Sequence, residues 1–322
     1  MILIVTNTSD ATADFLLPIL IEHGLSILRL DTDRILEDGR FSFDECTPLI
    51  AIGDKSYRPS DVAHVWYRRP ERLKKSTIDG DTPEGKFVLE EWAECLEGFF
   101  SLIDLRRWVN HPACNVAASH KIEQLARAKS LGLTIPDTLI TQDAGELRRF
   151  FQRWNGQLIV KPLASGYVER PPDQDDSLIF TNTVTPADMA NLDDLAACPT
   201  LFQQMIPKVA DVRITVIDGE YHAVQIQALD EATGQQRCDI RRNNMNGVTY
   251  CTIELPETIR CKLAALLNSY SLRFAAIDMA TTADGSWVFF EINPNGQWAW
   301  LDQCGVSQIW KSFVKAFSNS ES

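Results

Sequence analysis

Asp278-Met-Ala-Thr-Thr-Ala-Asp-Gly-Ser-Trp-Val-Phe-Phe-Glu-Ile-Asn-Pro-Asn-Gly-Gln-Trp298 is the stretch whose reading decides the fold. Phe274 to Asp278 and Trp287 to Glu291 are apolar, aromatic-rich runs of strand length. Asp284-Gly285 between them is the dipeptide that a two-residue type I′ hairpin turn requires. Counting outward from that turn, 283 faces 286 and 282 faces 287, until Asp278 faces Glu291. Asn293 follows two residues later, on Glu291's side of the sheet by strand alternation. Carboxylates opposed across a strand pair repel unless a cation lies between them. Two carboxylates and an amide form a hard oxygen set that suits Mg²⁺, its remaining positions filled by water and substrate phosphate. The same residues also fit a plainer arrangement, a buried acid satisfied by an arginine beside an unrelated turn.

A chain of 322 residues can build two or three domains. Its 45% hydrophobic and 23% charged content is that of an ordinary soluble globular protein. The net charge of −13 argues against nucleic acid as a partner, because phosphate-backbone affinity needs clustered Lys and Arg. Any nucleotide must instead be met by a few locally placed cations. The eight cysteines form no CxxC and no Cys/His pair at zinc spacing, which fits free thiols in a reducing cytoplasm. No apolar run approaches the roughly eighteen residues of a membrane span, and the N-terminus lacks a basic, cleavable signal.

Working back to the start, Ile2–Val5, Ala11–Glu22 closed by Gly24, and Ile27–Leu30 read as a βαβ unit. The turn after the first strand is Asn7-Thr8-Ser9-Asp10 rather than GxGxxG, so dinucleotide binding there is not expected. A hairpin-like segment covers 41–53, and a strand from Val62 runs into Arg68-Arg69-Pro70. Those arginines can hold an anion by bidentate hydrogen bonds, although solvated surface charge is the simpler explanation. Thr82-Pro83 opens a long packing helix to about Leu102. Asn115 is placed to cap a helix from Val116 to Leu131 that carries Lys121. Lys161 is a lone cation in the apolar strand Gln157–Pro162, a costly position unless it is paired or bound to an anion. The polar loop 164–176 reads as a lid. Thr185-Pro186 starts a helix to about Ala197, and Leu201–Ile206 is a strand. Asp211–Ile217 and Tyr221–Ala228 form a second hairpin, turning at Asp218-Gly219. Asp239–Asn244 is polar and basic, helix 257–270 follows, and a helix from Ser307 to Phe317 closes the chain.

Lys121, Lys161, Arg213 and Arg241 each have an ordinary structural explanation. Together with the acid pair they are what a bound nucleoside triphosphate requires. No P-loop, GxSxG, HExxH or kinase signature is present.

The sequence resembles the ATP-grasp ligases, and within them the graspetide (microviridin-type) peptide macrocyclases. Val65–Pro70 (VWYRRP), Asn110-His-Pro112 leading to Lys121, and Ile159–Pro162 (IVKP) carry the resemblance. So do Phe202–Lys208 (FQQMIPK), Asp211-Val-Arg213, and Phe289–Trp298 (FFEINPNGQW), so that the likeness runs through nearly the whole chain. It implies an α/β, α+β ATP-grasp fold: a βαβ pre-ATP-grasp domain at 1–109, a small lobe at 110–206, and a C-terminal lobe with the metal site at 207–322. ATP and Mg²⁺ would be the cofactors. Lys121 and Lys161 would bind the α- and β-phosphates. Gln203, Gln204, Met205 and Ile206 would form the adenine hinge, and Asp211 would hold an arginine or reach the ribose. Arg213, Arg241 and Asn243 would face the γ-phosphate and the acyl-phosphate made from it, while Asp278, Glu291 and Asn293 would ligate Mg²⁺. The implied partner is a ribosomal precursor peptide, its leader docking on 221–247, and a homodimer is possible. The implied reaction closes Asp or Glu carboxylates onto Ser/Thr hydroxyls or Lys amines. Two other readings stay open: an ATP-grasp ligase that adds a free amino acid to a protein or small acid, and a non-catalytic ATP-binding scaffold.

Overall fold

The computed structural model describes residues 1–164, 166–168, 170, 177–241 and 245–319. The chain opens with β1 (Ile2–Thr6), α1 (Ala11–Glu22) and β2 (Ile27–Asp31), the strands pairing in parallel. Asp10 caps α1 by accepting from the Thr12 and Ala13 N–H groups, and Gly24 at φ +77° ends it. An excursion follows, made of α2 (Ile35–Asp38), β3 (Gly39–Asp44), β4 (Thr47–Ile52) and β5 (Lys55–Tyr57). The chain then returns through β6 (His64–Tyr67), α3 (Pro83–Ser101) and β7 (Trp108–Val109). The result is a parallel sheet of order β2-β1-β6-β7.

Beyond Val109 the structure departs from expectation. In place of one helix capped by Asn115 there are two, α4 (Pro112–Ala117) and α5 (Lys121–Ser130). His111 caps α4, with Pro112 at the first helical position, where a missing N–H is harmless. Asn115 lies inside α4, buried, its amide tied to Asn110 and Asn295. Lys121 is therefore the first residue of α5.

A second sheet, of order β12-β9-β13-β8, contains β8 (Thr138–Thr141), β9 (Leu158–Lys161), β12 (Asn182–Thr183) and β13 (Thr200–Gln204). α6 (Ala144–Arg153) and α7 (Pro186–Ala190) accompany it, and a short ribbon pairs β10 (Tyr167–Val168) with β11 (Ser177–Leu178). Thr185 caps α7 as expected, but the helix stops at Ala190 and a 3₁₀ turn covers Asp193–Ala197. Most of the expected lid lies outside the described residues.

The third sheet is antiparallel, of order β16-β15-β14-β17-β18. Its strands are β14 (Lys208–Ile217), β15 (Glu220–Ala228), β16 (Val248–Ile253), β17 (Phe274–Thr282) and β18 (Trp287–Asn293). α8 (Glu257–Ser269) packs Leu263, Leu266 and Leu267 against Val212, Ile214 and Ile277. α9 (Ala299–Gln303) and α10 (Ile309–Ser318) finish the fold. Phe313 and Phe317 of α10, with Trp298, join Phe274 of the third sheet to Ile4 and Trp66 of the first in one core.

The hairpin β17–β18 corrects the turn assignment. A type I′ turn does occur, but at Asp218-Gly219, where φ is +45° and +78°. At Asp284-Gly285 only Gly285 has a positive φ, +81°, and Thr282 N–H donates to the Ser286 carbonyl. The loop thus has three residues, 283–285, and the pairing beside it is offset by one, Thr281 facing Trp287 and Met279 facing Phe289. A β-bulge at Phe290 then shifts the pairing back, and Asp278 faces Glu291 after all.

Candidate active site

A cavity of about 1710 Å³ lies where the three sheets meet, larger than the roughly 300–1,000 Å³ of a typical small-ligand pocket. It brings together all the described residues named above for nucleotide, phosphate and metal. Asn243 lies outside the described residues.

Lys121 sits at the N-terminus of α5, where the helix dipole disfavours a cation. Its Nζ donates to the Pro162 carbonyl at 2.9 Å and lies 3.8 Å from Glu291 Oε2. Lys161, at the end of β9, points into the same space. Burial pulls its pKa down and Lys121 adds to that, while Glu291 and Asp278 oppose. Its Nζ lies 5.9 Å from the centre of the Phe290 ring, as does Lys208 Nζ. The bulge therefore turns Phe290 as well as Glu291 toward the cavity, a role no alternation pattern would assign to both.

Burial pushes the Asp278 carboxyl up to about 6, Arg213 opposing and Glu291 and Asp211 adding. Arg213 Nε lies 3.2 Å from Asp278 Oδ1, the arginine partner that the plainer reading required. Glu291 has a cation of its own in Lys121, 3.8 Å away, yet it still raises its neighbour Asp278, so a divalent ion between the two acids would share them with Arg213 and Lys121. Among the described residues no group of three or more His, Cys, Asp or Glu could hold a metal. An ion here would rest on Asp278, Glu291 and the Asn293 amide, with other oxygens from water or phosphate. Asn293 Oδ1 already accepts from Asn295 N–H at 3.1 Å, which leaves one lone pair.

The hinge is more occupied than expected. Gln203 is 0% exposed, and its Nε2 donates to Thr138 Oγ1 at 2.9 Å, so its side chain belongs to the sheet. Gln204 N–H donates to the Asp137 carbonyl and Met205 N–H to that of Gln157, both at 2.9 Å. The Ile206 carbonyl accepts from Lys208 N–H at 2.8 Å. Asp211 holds a lysine rather than an arginine: Lys208 Nζ reaches its two oxygens at 2.6 and 2.8 Å, and Gln236 Nε2 donates at 2.8 Å. Arg241 pairs bidentately with Asp239, at 2.9 and 2.6 Å, and Asp239 also accepts from Thr181 N–H, joining the second and third sheets. Gly234, Gln235, Gln236 and 238–241 are cavity wall.

Gln124 went unnoticed in the sequence, although its place three residues after Lys121 puts both on one helix face. Its Nε2 donates to the Ile292 carbonyl and its Oε1 accepts from Ile292 N–H, each at 2.9 Å. It thereby clamps the outer edge of β18 between Glu291 and Asn293.

No protein-family profile and no curated protein matches the chain. Solved structures do. Macrocyclase MdnC from Microcystis aeruginosa MRC, bound with precursor peptide MdnA, is 29% identical, with all of both chains covered and a TM-score of 0.84. A RiPP-associated ATP-grasp ligase from Chryseobacterium gregarium, in complex with ADP and a leader and core peptide, is 26% identical. That match covers 100% of this chain and 97% of the other, with a TM-score of 0.83. D-alanine–D-alanine ligase from Bacillus anthracis, complexed with ATP, shares the fold at 12% identity and a TM-score of 0.55, with 99% of this chain and 96% of that one covered. By architecture and over its full length, the chain has the ATP-grasp fold and is similar to the graspetide-type ATP-grasp ligases.

Proposed function

We propose that the chain activates Asp or Glu side-chain carboxylates of a ribosomal precursor peptide with ATP and closes them onto Ser/Thr hydroxyls or Lys amines of the same peptide. The observation that carries this reading is the convergence of Lys121, Lys161 and Arg213, from three elements, on the facing acids Asp278 and Glu291. The ligands named in two of the similar solved structures, a precursor peptide in one and ADP with leader and core peptide in the other, support it.

Lys121 and Lys161 hold the nucleotide's phosphates, and Arg213 and Arg241 meet the charge that gathers on the transferred phosphoryl group. Asp278, Glu291 and Asn293 would hold Mg²⁺, which would supply further neutralisation of the phosphates. A carboxylate oxygen of the peptide attacks the γ-phosphorus and the bond to ADP breaks, leaving an acyl-phosphate. The hydroxyl or amine then attacks the acyl carbon, phosphate departs, and the nucleophile's proton is lost to solvent. The protein needs no nucleophile of its own, since its work is positioning and charge neutralisation.

The test is incubation with ATP, Mg²⁺ and a candidate precursor peptide rich in Asp/Glu and in Ser, Thr or Lys. The expected products are ADP and a peptide lighter by one water per ring. A peptide that instead gains the mass of a free amino acid would overturn the reading.

A further inference from the structure

Asn293 is the last residue of β18, and the loop Asn293-Pro-Asn-Gly-Gln297 that leaves it is held mainly from outside the third sheet. Asn293 is exposed at the cavity wall, and its Oδ1 is aimed by the Asn295 N–H that donates to it at 3.1 Å. The bearing of that amide therefore follows from where residue 295 stands. Asn115 Nδ2 of α4 donates to Asn295 Oδ1 at 3.2 Å, and Asn110 Nδ2 to the Pro294 carbonyl at 3.3 Å. Gly296 lies so close to β17 that an added Cβ would collide with that of Ala276. Thr12 of α1 donates to Gln297 Oε1. The backbone of Asn295 is gripped by Arg68, whose Nη1 donates to its carbonyl.

Arg68 follows β6 and is 0% exposed, whereas its neighbour Arg69 is exposed and lines the cavity. Arg68 N–H donates to the Val5 carbonyl at 2.9 Å, so its backbone is fixed to the first sheet. Its Nε lies 3.6 Å from Asp10 Oδ2, close enough for an ion pair and too far for a hydrogen bond. Among the described residues Nε and Nη2 have no hydrogen-bond partner. Apolar side chains of similar volume commonly replace a buried ion pair with no loss of stability. Folding alone therefore does not account for a charge at this place. What an apolar residue could not do is hold the Asn295 carbonyl.

We propose that Arg68 is a positioning residue for the metal: from the first domain it fixes residue 295, and through it the Asn293 amide offered to Mg²⁺. This rests on the ligase reading above and deepens it by tying the first domain to the metal site. The groups behind a metal's direct ligands set their orientation, and losing one typically weakens metal binding by about 10- to 100-fold. Without Arg68 the Asn295 carbonyl loses its charged donor, the N–H of the same residue is no longer held in place, and the exposed Asn293 side chain regains its other rotamers.

The experiment measures, on the full chain and without peptide, how Mg²⁺ tightens binding of a β,γ-imido analogue of ATP. It compares wild type with Arg68→Lys and with the double variant Arg68→Met, Asp10→Asn. The double variant strands no charge, and asparagine at position 10 can still cap α1. In it the Mg²⁺ concentration giving half of the tightening should rise by about 10-fold or more, with Arg68→Lys in between. Affinity without Mg²⁺ should be unchanged. Leu96→Ala thins a first-domain core that contains no residue of the loop, so it should lower the urea midpoint and leave the Mg²⁺ response intact. A Mg²⁺ response in the double variant within about threefold of wild type overturns the proposal. So does an equal loss of affinity with and without Mg²⁺, or the same shift in Leu96→Ala. When wild type responds to Mg²⁺ and the double variant matches it, this inference fails alone. A wild type whose nucleotide affinity ignores Mg²⁺ removes the metal assignment and this inference with it.

Discussion

Arg68 and Arg69 read in sequence as one feature, and the structure divides them into a buried strut and a cavity arginine. Burial draws the Arg68 guanidinium down to about 10, Asp10 opposing and Arg69 adding. It stays charged at neutral pH, so removing Asp10 strands a charge in the interior. Asp10→Ala should cost about 3–5 kcal/mol in urea unfolding; a loss under about 1 kcal/mol would show that the pair is dispensable. Glu291 is the opposite kind of residue, placed by the fold but not needed by it. Glu291→Gln keeps the shape, removes one carboxylate of the facing pair, and should lower ADP production by about 10²-fold or more with the urea midpoint unchanged. Undiminished ADP production would break the metal assignment. Lys161, Arg213, Asp278 and Glu291 were legible because each is an expensive residue in an apolar strand. Gln124 was not, because a glutamine on a helix looks like surface until the edge strand beside it is known.

Among the elements, the β17–β18 hairpin shows where such legibility ends. Asp278 faces Glu291 through two offsets that cancel, a longer loop and a bulge, and neither is written in the alternation. Phe289 and Phe290 are both aromatic, so a pattern of apolar and polar residues cannot say which of them is extra. The helix α4–α5 was misjudged for a related reason: Asn115 is an excellent cap in isolation, but tertiary partners claim its amide. α10 carries a prediction of its own. His64 packs on Phe317, ring centres 5.7 Å apart, and His222 Nε2 lies 2.8 Å from Ser312 Oγ. Burial lowers both pKa values; Arg273 adds at His64, while Asp302 and Glu220 oppose at His222. The fold therefore favours the neutral rings. Their contribution is complete above the unfolded value of about 6.5 and is lost as pH falls from there toward the folded values. Asp278, whose carboxyl is raised to about 6, gains stability over the same range and works against them, so the test is comparative: from about pH 7.5 to 5.5 the urea midpoint of wild type should lose ground to that of His222→Gln, which keeps a polar partner for Ser312. An equal change in both proteins would clear His222 of the effect.

Across the whole molecule, the three largest sheets among the described residues are not three independent bodies. The first and third share one core through α10 and Trp298, while the second has its own, built on Leu147, Phe150, Leu158, Val184 and Phe202. The amphipathic stripe of α10 can be read from its sequence, but a stripe does not name the surface that covers it, and that choice sets how the molecule divides. Phe313 is 0% exposed and touches both sides of the shared core, stacking on Trp298 at 4.7 Å and lying 5.1 Å from Trp66 and 5.6 Å from Phe274. Phe313→Ala should therefore cost about 3–5 kcal/mol and loosen two sheets far apart in sequence at once. Amide exchange should quicken together in β1 and β17 and stay nearly unchanged in β9 and β13. Loss of protection in β17 alone would mean that the first domain stands without α10. Loss in all four strands would mean that the molecule unfolds as one unit, and that the small lobe's separate core gives it no stability of its own.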